Sequence, residues 1–252
     1  MDEEELIAAA VETEKLSHVD LYGIGTNLTC FSFIQADEEK MERLAEMRKK
    51  VENAAGHTLE IVSGGNSAAL DLMMRGGICE GVDNFRLGES LLFGKERSRY
   101  TFLPGTRNDG FILECEVVEA KVKPSLPWGT AGVDSYGRKP VFTDRGDRRK
   151  KVICAIGRQD FDAETTTPVD EGILILGASS DHLMLDVTDS VKEYKVGDIV
   201  ELRLGYFSVL RAFTSPYVEK IFLKKMKKSG AGQGDSSAEK YVCFSHETVA
   251  DF

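Results

Sequence analysis

Apolar positions recur at helical spacing in two stretches of the first third of the chain. Residues from about Asp2 to Leu16, with Leu6, Ala8, Ala9 and Ala10 inside, predict one helix. Asp37 to Ala55 predicts a second, amphipathic one, with Met41, Leu44, Met47 and Val51 on its apolar face and Gly56 as its stop. Between and after them lie short β-prone runs that each feed a polar, Gly-bearing loop: His18 to Asn27, Leu59 to Val62, and Asn84 to Glu89. The rhythm is βαβαβ, which predicts a parallel sheet whose carboxyl edge binds ligands.

The most informative stretch is Leu59 to Leu72. An apolar run enters Ser63-Gly64-Gly65-Asn66-Ser67, and a helix-period run with Ala69, Leu72 and Met73 leaves it. Glycines permit a close approach of backbone to ligand, and the first amides of a new helix lack intrahelical partners, so the turn suits a phosphate. Asn66 or Ser67 equally serves as a plain helix cap. This is neither a Walker loop nor a complete dinucleotide fingerprint, and its neighbours must decide.

The texture changes after about Pro104. Phe111 to Val122, Lys151 to Ile156, Gly172 to Leu176, Leu183 to Val187 and Ile199 to Leu204 read as strands between Pro, Gly and Asp turns, with little helical periodicity. The expected fold class is therefore α/β plus all-β. The expected divisions are an α/β part over 1–106, a β domain over 107–223 and a disordered Lys- then Gly/Ser-rich tail over 224–252.

Composition narrows the setting. The 252 residues are 42% hydrophobic, ample for a sizeable core, and the formal net charge of -10 gives nucleic acid no evident basic face. No apolar run approaches the roughly 20 residues of a membrane span, and Met1-Asp2-Glu3-Glu4-Glu5 lacks the basic start of a secretory signal. Five cysteines without metal-ligand spacing read as free thiols. The expectation is a cytoplasmic protein with no nucleic-acid, membrane or metal partner.

Six motifs then carry a resemblance. Gly23-Ile24-Gly25-Thr26-Asn27, Ser63 to Ser67, Arg86-Leu87-Gly88-Glu89, Lys123-Pro124-Ser125, Gly157-Arg158-Gln159-Asp160 and Ser179-Ser180-Asp181-His182 together resemble the alanine racemase superfamily, most of all its ornithine racemase branch. The resemblance reaches from near the start to about Phe222. It implies a pyridoxal phosphate (PLP) barrel followed by a β domain, of which this chain holds about the last three βα units.

Carried over by position, Asn66 and Ser67 match phosphate contacts, with Ser63 and Gly65 in the same loop. Gly88 matches the loop that completes the phosphate cup, Asn27 a residue beside the ring, and Tyr217 a phosphate-binding tyrosine. Arg86 matches the arginine that faces the pyridine nitrogen. A guanidinium only donates, so it would hold that nitrogen unprotonated and limit side reactions; the local alternative is a pair with Glu89. Alanine racemases place a catalytic tyrosine where Arg158 stands here, and arginine is a poor base. The second acid/base is therefore expected from Asp181 or His182, with Asp160 behind them.

The resemblance implies an amino-acid racemase, an isomerase that removes and returns the α-proton, with ornithine the favoured substrate and lysine or alanine behind it, acting as a homodimer. The family's cofactor lysine has no counterpart: Lys15 ends a helix, and Lys40, Lys49 and Lys50 lie on the polar face of another. Phe31-Ser32-Phe33-Ile34-Gln35 replace a stretch that is usually small and Gly-rich. The chain thus reads as the C-terminal two-thirds of a racemase, inactive alone, or as a non-catalytic remnant that holds PLP or phosphate.

Overall fold

The computed structural model describes residues 1–133 and 137–223 and the backbone of Val242–Ser245. The chain divides into two units, Met1–Asn108 and Asp109–Phe252.

Unit one opens with α1 (Glu3–Thr13), whose Asp2 and Glu5 form a reciprocal capping box. A short strand β1 (Gly23–Gly25) precedes α2 (Glu38–Ala55). Asp37 caps α2 by accepting from the Lys40 amide at 3.0 Å, and Gly56 ends it in the left-handed conformation at φ +82°. Strand β2 (Ile61–Asn66) leads through a 3-10 turn, Ser67–Ala69, into the short α3 (Leu70–Met74). Strand β3 (Asn84–Arg86) and α4 (Glu89–Phe93) complete the pattern. The strands pair in the order β1-β2-β3, all parallel. Met41, Leu44, Met47 and Val51 of α2 pack with Ile24, Leu59, Val62, Leu72, Val82 and Ala10 in one core.

Two local expectations change. The strand expected to stop at Val62 runs on to Asn66, so Ser63-Gly64-Gly65 are strand, not turn. The pairing with β3 shifts register between Ser63 and Asn66, an irregularity that Gly65 permits at φ +125°, and a Cβ on Gly64 would lie 2.7 Å from the Phe85 ring. The helix expected over Ser67 to Met74 is a 3-10 turn followed by five α-helical residues.

Unit two is built on β4 (Ile112–Lys123). Its later half pairs antiparallel with β5 (Arg149–Cys154), and its first half pairs with a strand near the end of the unit. After β5 come β6 (Thr166–Pro168), β7 (Leu174–Ala178), β8 (Leu183–Asp186) and β9 (Ile199–Leu204), the last being the strand that pairs with the first half of β4. The sheet order is β5-β8-β7 on one side, and β6 pairs with β9. Leu113, Cys115, Val117, Val152, Cys154, Ile156, Phe161, Leu183, Leu185, Val200 and Leu202 fill its core. A hydrogen bond with Cys154 and full burial push the Cys115 thiol well up, and Cys30, Cys79, Cys115 and Cys154 are all free.

One helix in this unit escapes the expected strand pattern, α5 (Tyr206–Thr214), followed by β10 (Glu219–Phe222). Tyr206, Val209, Leu210 and Phe213 recur at the i, i+3, i+4, i+7 spacing of one helical face, a signal that the strand reading of this half of the chain passed over. Most of the expected disordered tail lies outside the described residues. Within it, however, Val242–Ser245 form β11, antiparallel to β10 and parallel to β4; this is a β-prone Val-Cys-Phe run with open strand edges to join. Among the described residues no helix is long and apolar enough to cross a membrane, and no cluster of His, Cys, Asp and Glu could hold a metal ion.

Candidate cofactor site

Because β1, β2 and β3 are parallel, their carboxyl ends share one edge. The Arg86 guanidinium lies along that edge. Nη1 donates to the Ser63 hydroxyl, and Nη2 donates to the Thr26 carbonyl at 2.7 Å. Gly25 makes room for it, since a Cβ there would stand 3.1 Å from Nη1. Glu89, the other partner considered for Arg86, faces Arg97 at 3.6 Å instead. Arg86 thus spends two of its five N–H groups on the sheet edge and keeps others to donate elsewhere.

Beside it the start of α3 and the start of α4 converge. Ser67 Oγ accepts from the Ser90 amide at 3.2 Å and from the Gly88 amide at 3.4 Å, and meets Ser90 Oγ at 3.1 Å. Both serines are buried, and a Cβ on Gly88 would meet nothing within 4 Å. The two amides and the Ser90 hydroxyl thus converge on Ser67 Oγ, beside the open space at Gly88, a donor set that a phosphate oxygen could take over from that hydroxyl. Asn66 acts as the cap of the turn. Its Oδ1 caps the turn by accepting from the Ala68 amide at 2.9 Å, and its Nδ2 donates to Asn27 Oδ1 at 3.1 Å and to Cys30 Sγ at 3.3 Å.

Asn27, Ser63, Gly65, Asn66, Ser67, Arg86 and Gly88 are therefore brought to one edge of unit one. The residues fit the phosphate and ring-nitrogen ends of PLP, but among the described residues no lysine ends β1, β2 or β3. Lys15, Lys40 and Lys50 pair with Glu12, Asp37 and Glu3. Lys95 lies over the rings of Tyr100 and Phe102, 4.2 and 4.8 Å from their centroids.

The other candidate residues gather in unit two. Asp181 and His182 are exposed at the tip of the β7–β8 hairpin, closed by a Ser179 amide donating to the His182 carbonyl at 2.8 Å. The 157–161 turn packs on that tip: the Arg158 and Gln159 amides donate to the Ser179 and Ser180 carbonyls, and Arg158 Nε donates to the Ala178 carbonyl at 2.9 Å. Gly157 is obligatory there, because a Cβ would fall 2.1 Å from the Ser180 carbonyl oxygen. Asp160, by contrast, is buried, and Tyr217 is exposed just past α5.

Three participants escaped the sequence reading. Ser90 and Cys30 join the edge described above, and buried Glu96 organises the loop after α4. Only Ser90 had a local signal, its place in the first turn after Gly88.

No family model matches the chain. Among curated proteins it is 45% identical over 212 residues to an ornithine racemase of Acetoanaerobium sticklandii, a match covering 84% of this chain and 60% of that protein. It is also 42% identical over 214 residues to a lysine racemase of Thermotoga maritima, covering 85% and 60%. The chain thus spans about three-fifths of the length of these relatives. Among solved structures, D-threonine aldolase from Filomicrobium marinum matches with a TM-score of 0.50 at 11% identity, over 82% of this chain and 51% of that one, a likeness of fold. With parallel strand-and-helix units followed by a β domain and these two relatives above 40% identity, the chain is similar to the ornithine and lysine racemases over the three-fifths of their length that it spans.

Proposed function

We propose that the chain is the larger part of a PLP-dependent amino-acid racemase, with ornithine the favoured substrate and lysine or alanine behind it. The observation that carries it is the meeting of the Ser67–Gly88–Ser90 donor cup and the Arg86 guanidinium at one sheet edge, in a chain whose relatives are an ornithine and a lysine racemase. PLP, when bound, withdraws electrons from the α-carbon of an attached amino acid and so loosens its proton.

The chain's own groups have distinct tasks. Ser67, Ser90 and the Gly88 amide bind the phosphate, and Asn66 orients the turn that presents Ser67. Arg86, pinned to Ser63 and Thr26, donates to the ring nitrogen and leaves it unprotonated. Tyr217 is read as a further phosphate contact. His182 or Asp181, exposed on the hairpin tip, takes or returns the proton on one face; imidazole is suited to this near neutrality. The superfamily resemblance makes a homodimer the expected assembly. The competing reading, a module that holds PLP or phosphate without catalysis, is favoured by the absence of a strand-end lysine among the described residues.

Titrating the 252-residue polypeptide with PLP and with pyridoxal, and then following exchange of the α-proton of L-ornithine and L-lysine in heavy water, tests both. The expected result is tighter binding of PLP than of pyridoxal, with no α-proton exchange by this polypeptide alone. Equal affinity for the two would remove the phosphate cup from the reading. Exchange by the pure polypeptide would show that one of its own lysines serves.

A further inference from the structure

Asp160 is 1% exposed, and its Oδ2 is sealed from solvent without a hydrogen-bond partner. A carboxylate so enclosed has no path along which to exchange a proton with a substrate. Its other oxygen has a defined use: Oδ1 accepts from the Ser215 hydroxyl at 2.6 Å, across 55 residues of sequence. Ser215 Oγ accepts in turn from the Tyr217 amide at 3.1 Å, so the hydroxyl relays between a buried carboxyl group and the turn that carries an exposed tyrosine. A second tie joins the same segments. Arg211, on the last turn of α5, donates from Nη1 to the Arg158 carbonyl at 2.8 Å and to the Phe161 carbonyl at 3.2 Å. The 157–161 turn also holds the hairpin tip with Asp181 and His182 through the Arg158 and Gln159 amides.

Asp160 is therefore a buried acceptor on the turn that carries Arg158, tied through Ser215 to the turn of Tyr217, while the same turn holds the hairpin tip of Asp181 and His182. We propose that Asp160 is a positioning residue, not a proton carrier: through the Ser215 hydroxyl it locks the Tyr217 turn to the turn that bears Arg158. The inference deepens the racemase reading, on which the roles of His182 and Tyr217 rest, but the lock itself can be measured without cofactor.

The test compares amide hydrogen exchange, residue by residue, in the full 252-residue protein and its D160A, D160N and S215A variants. D160A is expected to speed exchange at the Tyr217 amide about tenfold, the size of one lost hydrogen bond of ~1.4 kcal/mol. D160N, which keeps an oxygen to accept from Ser215, is expected to stay within about twofold. D160A is expected to add nothing at Tyr217 when placed on S215A, since both act through one hydroxyl. Should D160A fail to fold, the smaller S215A change carries the test, because a lock must also loosen the Asp160 amide, which donates to the Gly157 carbonyl at 3.0 Å. The proposal is overturned if Tyr217 does not respond, or if it speeds up only in step with the amides of β4 and β5. PLP affinity separates the two readings: a Y217F variant that binds PLP as tightly as the parent refutes Tyr217 as a phosphate contact, and leaves the lock standing if the exchange data support it.

Discussion

Replacing Glu96 by glutamine is the sharpest test of how the loop behind the phosphate cup is held. Glu96 is 2% exposed, and its carboxylate accepts five hydrogen bonds: from the Ser98 amide and hydroxyl on Oε2, and from the Arg99 amide and the Thr101 amide and hydroxyl on Oε1. Burial alone pushes this carboxyl up, but the Ser98 hydroxyl and the amides of Thr101, Arg99 and Ser98 outweigh it and hold the pKa at about 2 against an ordinary 4.5. At 1.36 kcal/mol for each tenfold change in proton affinity, that difference corresponds to about 3 kcal/mol of stability at neutral pH.

The sign follows from the depressed value. The stabilisation is complete above pH 4.5 and is lost as pH falls from there towards 2. A glutamine keeps one oxygen but turns an NH2 towards two donors, so E96Q should cost about 3 kcal/mol at pH 7. Urea unfolding followed by the circular dichroism of the unit-one helices α1 and α2 measures it at pH 7 and at pH 3. The gap between parent and variant should narrow clearly at the lower pH. A gap equal at both pH values, or under about 1 kcal/mol at pH 7, would refute the assignment of this loop's stability to an ionised Glu96. The loop matters for the site because the Arg97 amide donates to the Ser67 carbonyl at 3.3 Å.

Two further substitutions bear on the same edge. S67A removes the hydroxyl at the centre of the cup and should weaken PLP about 10- to 100-fold, the size of a hydrogen bond to a charged group, while leaving pyridoxal affinity unchanged; a parallel loss for pyridoxal would point to a distorted fold. Phe33 sits at φ +57° with its side chain 80% exposed, so F33G relieves left-handed strain while giving up little burial. It should raise stability by roughly 0.5–1 kcal/mol in urea unfolding, and a net loss would mean that the aromatic ring contributes more than its exposure indicates.

What was legible in the chain was whatever depends on near neighbours. Asp37 and Gly56 bracket α2 by caps that need only the next few residues, and β9 begins and ends where the run Ile199 to Leu204 does. The parallel order of β1, β2 and β3 follows from strands alternating with helices. The motifs likewise named Asn66, Ser67, Arg86 and Gly88 before any geometry.

Only the tertiary structure decided what those residues touch. Arg86 could have met Glu89, three positions on, but the parallel sheet lays it against Ser63 and Thr26, more than twenty and about sixty residues away. Asp160 looked like one more acid beside Asp181, yet the fold buries it and sets its Oδ1 against the Ser215 hydroxyl, 55 residues on. Glu96 sits among Lys95, Arg97 and Arg99, in a charged run that reads as solvated surface, and is enclosed by its own loop. Propensity and capping act over a turn or two of chain, whereas burial and hydrogen-bond partners are set by which distant segments the fold brings alongside, and a linear pattern carries no record of that.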